Sequence, residues 1–213
     1  MAQDIPTLLK NTPSVITTSF PGAGIGYSSI RVRGSDPSRV NVTINGVPYN
    51  DAESMGVWWV NLPDFASSIE SIQIQRGVGT STNGSAAFGG SLNIQTNAAS
   101  DIASFEINNT LGSFSTIKNS VGFSTGFIND KFELSGRLSR IKSGGYIDRS
   151  GSKLRSYFLQ GVYKDSNTLL KLLNFAGHEL TDQAWFGIDA STLESNRKYN
   201  PAGEYYDKNG NIQ

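Results

Sequence analysis

The second half of the chain alternates strictly between apolar and polar positions. Residues 104–111, 117–127 and 131–141 each place apolar side chains on one face and small or charged side chains on the other. A period of two over segments of this length predicts half-buried β-strands. Residues 153–164 and 168–177 are also β-like, although they are sorted less cleanly. The pattern therefore predicts five antiparallel strands.

The connections between these segments alternate in length. Residues 129–130 and 165–167 are tight turns, residues 143–152 form a longer connection, and the chain after Glu179 is a polar loop without periodicity. Strands of about ten residues, with short turns at one end and long loops at the other, are typical of an outer-membrane β-barrel. A soluble β-sandwich remains the alternative, since its strands also alternate. Five strands cannot close a wide barrel, so the barrel interpretation makes the chain a fragment.

The alternation also predicts which face each side chain occupies. The polar side chains Lys118, Glu133 and Arg137 are expected to point to the lumen, because barrel interiors are polar. The short turns, including Asn129-Asp130, are expected in the periplasm. The apolar side chains expected to face lipid are Phe105, Ile107, Val121, Phe123, Phe132, Leu134 and Leu138.

The first hundred residues mix patterns and predict a compact α+β domain. Asp4 is a candidate N-cap for a short helix over residues 4–10, and Asn45-Gly46 between β-prone residues predicts a hairpin. A helical turn over residues 63–67 and a small-residue loop over residues 79–90 separate the later strands. We therefore place one domain at residues 1–100 and barrel strands at residues 101–213. The predicted strands of the first domain cover residues 15–18, 29–32, 40–44, 69–75 and 91–96.

Composition excludes several classes of function. The 18 basic and 18 acidic residues balance, whereas a nucleic-acid-binding domain would show a basic surplus. The absence of cysteine and the single histidine, His178, exclude a disulfide framework and a metal site built from thiolates or histidines. No run of 18 apolar residues predicts a transmembrane helix. If the protein is exported, we expect its signal sequence to precede Met1.

One motif suggests an enzyme but does not fit its context. Residues 122–126 read Gly-Phe-Ser-Thr-Gly, the nucleophile pattern of α/β-hydrolases, with His178 downstream. That motif requires a sharp turn from a strand into a helix. Here Ser124 lies within an alternating strand, on its small polar face. The sequence therefore predicts no catalytic residue, no cofactor and no resident metal.

Four segments of the first domain resemble the plug of TonB-dependent outer-membrane receptors. Family members carry these elements in the same order over about ninety residues. The departures are Asn45 where aspartate is usual, Gln73 and Gln75 in place of charged residues, and a missing proline after Gly77. Residues 145–149 and 200–203 further resemble early barrel loops of Bacteroidetes members. The four segments are Ile30-Arg31-Val32-Arg33-Gly34, Val42-Thr43-Ile44-Asn45-Gly46-Val47-Pro48, Ile69-Glu70-Ser71-Ile72-Gln73-Ile74-Gln75-Arg76-Gly77 and Phe88-Gly89-Gly90-Ser91-Leu92-Asn93-Ile94-Gln95-Thr96.

The resemblance implies a function. Such a receptor lies in the outer membrane of a Gram-negative bacterium, among lipid, and takes up a scarce nutrient. Its plug closes a barrel that is otherwise an open pore, and the TonB complex pulls on a short N-terminal box. We expect that box and the start of the plug to precede Met1. A ferric siderophore is the expected ligand; cobalamin, haem or an oligosaccharide, and a non-transporting adhesin or ligand trap, are the alternatives.

Two sets of residues are candidate sites. Phe20, Tyr27 and the pair Trp58 and Trp59 lie in non-periodic stretches that are unusually aromatic, which favours ligand contact. The alternative is that these rings pack against the barrel wall or in the plug core. Arg33 and Arg76 each end a strand and precede a glycine, the positions at which the resemblance implies a lock between plug and barrel wall. Their carboxylate partners are expected on strands beyond residue 213.

Overall fold

A computed structural model describes residues 3–78, 87–205 and 208–209. Most of the predicted loop at residues 79–90 therefore lies outside the described residues. No helix in the described part of the chain has the length and apolarity needed to span a membrane.

The N-terminal domain is built from short elements around one apolar core. Helix α1 (Ile5–Leu8) precedes six strands, and three 3₁₀ turns connect them. β1 and β2 form an antiparallel pair, while the other strands form a sheet in the order β4-β3-β6-β5. The strands are β1 (Val15–Ser19), β2 (Ser28–Val32), β3 (Val40–Ile44), β4 (Val47–Pro48), β5 (Ile69–Arg76) and β6 (Gly90–Thr96). The 3₁₀ turns are Pro37–Arg39, Trp59–Asn61 and Phe65–Ser68.

The centre of this domain is the parallel pair β3 and β6. Every residue of β3 is buried, and Leu92 and Ile94 of β6 are fully buried. Asn45 and Gly46 adopt φ values of 50° and 82°, the left-handed geometry of a tight hairpin turn. The predicted hairpin is therefore confirmed, with β4 as its short second strand.

The C-terminal part is a five-stranded antiparallel meander in the order β11-β10-β9-β8-β7. Its strands contain 10 to 13 residues, long enough to cross a membrane when tilted. The sheet does not close within the described chain. Its strands are β7 (Ala103–Gly112), β8 (Thr116–Thr125), β9 (Phe132–Ser143), β10 (Ser152–Lys164) and β11 (Leu169–Thr181).

The two faces of this sheet differ as predicted. Lys118 and Glu133 are only 3% exposed, because their face is covered by the N-terminal domain. The opposite face is open, and the seven apolar side chains predicted to point to lipid all lie on it. Their exposed fractions are Phe105 68%, Ile107 63%, Val121 38%, Phe123 41%, Phe132 53%, Leu134 43% and Leu138 65%.

Strands β10 and β11 are less cleanly sorted because their inner faces are partly apolar. Phe158 belongs to the core cluster of the N-terminal domain, and Leu173 and Phe175 pack against that cluster. Apolar residues therefore lie on both faces of these strands, and the period of two becomes weaker.

Two predictions from the sequence were wrong in detail. The chain after Glu179 is not all loop, since β11 continues to Thr181 and helix α2 covers Ala190–Ser195. Asp4 precedes helix α1, but its side chain does not cap the helix. It is instead buried and accepts a hydrogen bond from the Ser28 hydroxyl at 3.2 Å, because the loop from β1 to β2 covers the start of the helix.

Candidate functional site

An ion cluster joins the N-terminal domain to the inner face of the sheet. Asp64 lies just before the Phe65–Ser68 turn, with φ 55°. Its Oδ1 atom accepts a hydrogen bond from the Lys118 ammonium at 2.5 Å, and its Oδ2 atom accepts one from the Arg137 guanidinium. The side chains of Asp64, Lys118 and Arg137 are 2%, 4% and 11% exposed. One buried carboxylate thus holds two cations on neighbouring strands.

Hydroxyl groups complete this cluster. Ser67 Oγ donates to Asp64 Oδ1 at 2.7 Å and accepts from Lys118 Nζ at 2.6 Å. Ser68 Oγ accepts from Arg137 Nε at 3.1 Å. A buried charge pair is tolerated when further hydrogen bonds satisfy its remaining donors and acceptors. We call Asp64, Lys118 and Arg137, with these two serines, the Asp64 cluster.

An aromatic contact lies beside the Asp64 cluster. The Phe65 ring lies 5.9 Å from the Phe158 ring and 4.9 Å from the Phe175 ring. The Pro63 ring fills the space that a side chain at Gly177 would need. The segment from Pro63 to Ser68 therefore fits against β8 to β11 through both charge and shape.

A second polar link lies beside the Asp64 cluster, where the Asn97 amide donates to the Ser68 carbonyl at 3.0 Å. Lys171 Nζ on β11 donates to Thr96 Oγ1 at 2.8 Å and to the Asn97 carbonyl at 3.0 Å. These acceptors lie where the N-terminal domain ends and the chain turns toward β7. Together with the Asp64 cluster, these contacts hold the N-terminal domain against the inner face of the sheet.

The loop between β1 and β2 contacts the long connections of the sheet. The Tyr146 amide donates to the Pro21 carbonyl at 2.7 Å, and the Tyr27 and Trp185 rings lie 5.3 Å apart. Phe114 packs edge-on against Tyr146 at 5.5 Å. These rings form an aromatic surface at the end of the sheet opposite the short turns. We call it the apical surface.

The structure separates the four predicted ligand-contact residues. Phe20 and Tyr27 are half-buried in the loop at the apical surface, and Trp58 is 54% exposed. In the described residues no ring contact joins Trp58 to the other two. Trp59 is only 3% exposed and belongs to the core cluster. It has the packing role that the sequence left open, so it is not available to a ligand.

Arg33 and Arg76 lie at one corner of the N-terminal domain. The Arg33 amide donates to the Ser14 carbonyl at 2.8 Å, and the Arg76 guanidinium reaches the Pro13 carbonyl at 3.5 Å. Both side chains are exposed, and neither forms an ion pair with a described residue. The predicted lock with later strands remains a prediction.

The hydrolase-like motif has no catalytic geometry. Ser124 lies in β8, and its hydroxyl donates to Glu133 Oε1 at 2.9 Å. The motif ends in the turn before β9, not in a helix. No group of acidic or histidine side chains in the described chain could hold a metal ion.

The Asp64 cluster was not found from the sequence. Lys118 and Arg137 could be assigned to the inner face by alternation, but nothing marked Asp64 as their partner. The available signal was an acid in a Pro-Asp turn near an apolar run, which is too common to interpret alone. Only the packing of residues 63–68 on the sheet shows that Asp64 is the partner of both cations.

Comparisons with known proteins show what the first domain is similar to. Residues 1–91 match the family model described as "TonB-dependent Receptor Plug Domain". The chain is 34% identical, over 140 residues and 65% of its length, to the vitamin B12 transporter BtuB of Vibrio vulnificus (strain YJ016). That match covers 22% of the transporter.

Solved structures share the fold. The ferric citrate transporter FecA, in its unliganded form, matches 97% of this chain and 32% of its own with a TM-score of 0.74 and 18% identity. The siderophore receptor PirA from Acinetobacter baumannii matches 86% and 30%, with a TM-score of 0.63 and 21% identity. The chain thus spans less than a quarter of the curated relative and about a third of each structure. These relatives are named as transporters and receptors, not as enzymes.

Proposed function

We propose that the chain is the plug and first barrel strands of an active transporter, since residues 1–91 match the TonB-dependent receptor plug model. The transporter takes up a scarce nutrient across the outer membrane of a Gram-negative bacterium. Energy comes from the TonB complex, which acts on the plug. The single observation that carries the proposal is a plug domain bound to the polar face of a sheet whose other face is apolar and exposed.

In the proposed mechanism the plug is held by polar contacts that water can replace. The Asp64 cluster and the Lys171 contacts consist of hydrogen bonds and ion pairs. Such contacts are strong in a dry interface, but water competes with them once it enters. A pulling force that admits water at one edge of the interface would therefore release the plug from the sheet step by step. The plug can move without breaking covalent bonds.

A ferric siderophore is the proposed ligand. Two structural relatives are named as a ferric citrate transporter and a siderophore receptor. The proposed contacts are Phe20 and Tyr27, in the loop that contacts the long connections, and the exposed Trp58. Aromatic rings provide large apolar contact area and a polar edge for a bulky chelate.

Cobalamin uptake is the second candidate. It is favoured by the 34% identity to a vitamin B12 transporter. Both ligands are bulky metal chelates, so the same apical surface serves either proposal.

Growth of a deletion strain separates these candidates. Cells that lack the full-length gene are supplied with ferric siderophores of different chemistry, haem, or cobalamin as the limiting nutrient. Complementation is expected to restore growth on one ferric siderophore, and W58A to weaken its uptake. Arg197→Gln, an exposed loop change, is the control. Restored growth on cobalamin alone would favour the second candidate, and no restoration with any source would contradict the transporter proposal.

Membrane orientation provides an independent test. The short turns at residues 129–130 and 165–167 are proposed to lie in the periplasm. A cysteine at Asn129 should resist an impermeant thiol reagent in intact cells, whereas one at Arg197 should react. Labelling of Asn129→Cys in intact cells would show that the orientation is the reverse of the one proposed.

A further inference from the structure

A cluster of cations lies on the outward face of the sheet. Arg140 and Lys142 on β9 point away from the plug, and so do Arg155 and Lys153 on β10. Arg140 is directly opposite Arg155, and Lys142 is directly opposite Lys153. His178 on β11 lies directly opposite Arg155. We call these two arginines and two lysines, without His178, the outer cation cluster.

The position of this cluster relative to the apolar band is specific. Leu138 and Tyr157 form the next cross-strand pair toward the short turns, and both are exposed. Successive pairs on one face lie about 6.6 Å apart along the strands. From Leu138 to Phe132 the outward face of β9 carries only apolar residues or glycine. The cations therefore lie immediately above the apolar band, at the end of the sheet with the long connections.

The outer cation cluster has no acidic partner on its face. None of its side chains forms an ion pair or a side-chain hydrogen bond with a described residue. The outward face of β7 to β11 carries no aspartate or glutamate, since Glu106, Glu133 and Glu179 all point to the inner face. This face is thus strongly cationic in a chain whose formal charge is zero.

Like charges directly opposite each other destabilise a sheet. An anion that bridges the cations offsets this repulsion. Guanidinium groups bind phosphate oxygens with two parallel hydrogen bonds, and a lysine ammonium adds a compact charge. Two cross-strand cation pairs match a ligand with more than one phosphate.

We propose that the outer cation cluster binds the phosphate groups of the glycolipid in the outer leaflet of the membrane. This rests on the proposed outer-membrane placement. The occupant is a lipid headgroup, not a free anion, because the cluster adjoins the lipid-facing apolar band. The shallow, open groove beside Arg140 is lined in part by Ile107, Val121 and Leu138 of that band. Acyl chains of a bound lipid would lie along Leu138 and Tyr157 while its phosphates meet the cations.

The test uses the full-length receptor, purified in detergent. Native mass spectrometry measures binding of bisphosphorylated lipid A, the same lipid without phosphates, and inorganic phosphate. R140Q/R155Q is expected to weaken lipid A binding about tenfold or more, since each cation near an anionic surface contributes several-fold. The double variant K131Q/R197Q removes two exposed charges elsewhere and is expected to stay within about twofold of the wild type.

Three outcomes would overturn the inference. They are unchanged binding in R140Q/R155Q, equal binding of the lipid without phosphates, and equal competition by inorganic phosphate, which would indicate a free-anion site. If R140Q/R155Q does not fold, K142Q/K153Q tests the second cation pair in the same way. Nutrient uptake in the deletion strain is measured separately. Loss of lipid binding with normal uptake supports this inference, and normal lipid binding without uptake contradicts only the transport proposal.

Discussion

Replacement of Asp64 by asparagine would remove the carboxylate that holds both Lys118 and Arg137. Asparagine has the same shape and tolerates the left-handed backbone conformation found here, φ 55°. Its amide oxygen can still accept from Ser67. The change therefore tests the charge of the Asp64 cluster with little added backbone strain.

The expected cost is large because all three charges are buried. The Asp64 side chain is 2% exposed, and those of its partners are 4% and 11% exposed. Removing one partner of a buried ion pair costs about 3–5 kcal/mol, since the remaining charge stays desolvated. A loss of 3 kcal/mol favours release of the plug by about 100-fold. That is a considerable part of the roughly 5–15 kcal/mol that stabilises an ordinary domain.

The assay follows plug unfolding in the full-length receptor. A cysteine at Val42, which is 2% exposed in the plug core, reacts with a thiol reagent only when the plug opens. D64N is expected to lower the urea concentration at which this cysteine reacts. Asp36→Asn is the control, because Asp36 is an exposed plug acid 4.0 Å from Arg31, and its midpoint should not change.

A mutant cycle identifies the cause. If the charge is responsible, D64N combined with R137M should cost less than the sum of the single changes, because the Arg137 cation is then absent and only Lys118 is left unpaired. Wild-type labelling of D64N would refute the claim that the Asp64 cluster holds the plug. Additive costs would assign the effect to packing instead.

The remaining predictions concern plug residues. Burial raises the pKa of the Asp4 carboxyl well above its ordinary value. The stability that Asp4 contributes is therefore present below the ordinary pKa and is lost as pH rises through the raised value. Asp4→Asn should remove this loss from the pH profile of the urea midpoint, and an unchanged profile would contradict the prediction. R33Q/R76Q in the full-length receptor should increase labelling of the plug cysteine, whereas wild-type protection would show that no lock exists. W59A should cost about 3–5 kcal/mol of plug stability, as expected for a large core side chain, while W58A should leave the urea midpoint nearly unchanged.

The hydrophobic pattern alone predicted most of the fold. Because side chains alternate in a strand, each side chain of β7 to β9 has only two possible faces, and composition identifies the one toward lipid. Asn45-Gly46 predicted a hairpin for a similarly local reason, since few residues adopt the turn's backbone angles. Such features depend on neighbours within a few positions, so a sequence is sufficient to find them.

The interface required the tertiary structure. Asp64 is 54 residues from Lys118 and 73 from Arg137, and no periodicity links positions that far apart. Trp58 and Trp59 are chemically identical neighbours, yet Trp58 is exposed and Trp59 lies in the core. The direction of the 3₁₀ turn determines which of the two side chains is buried. The outer cation cluster likewise depends on strand register, which sets Arg140 opposite Arg155. The sequence determined the faces, and the packing of elements distant in the chain determined which side chains meet.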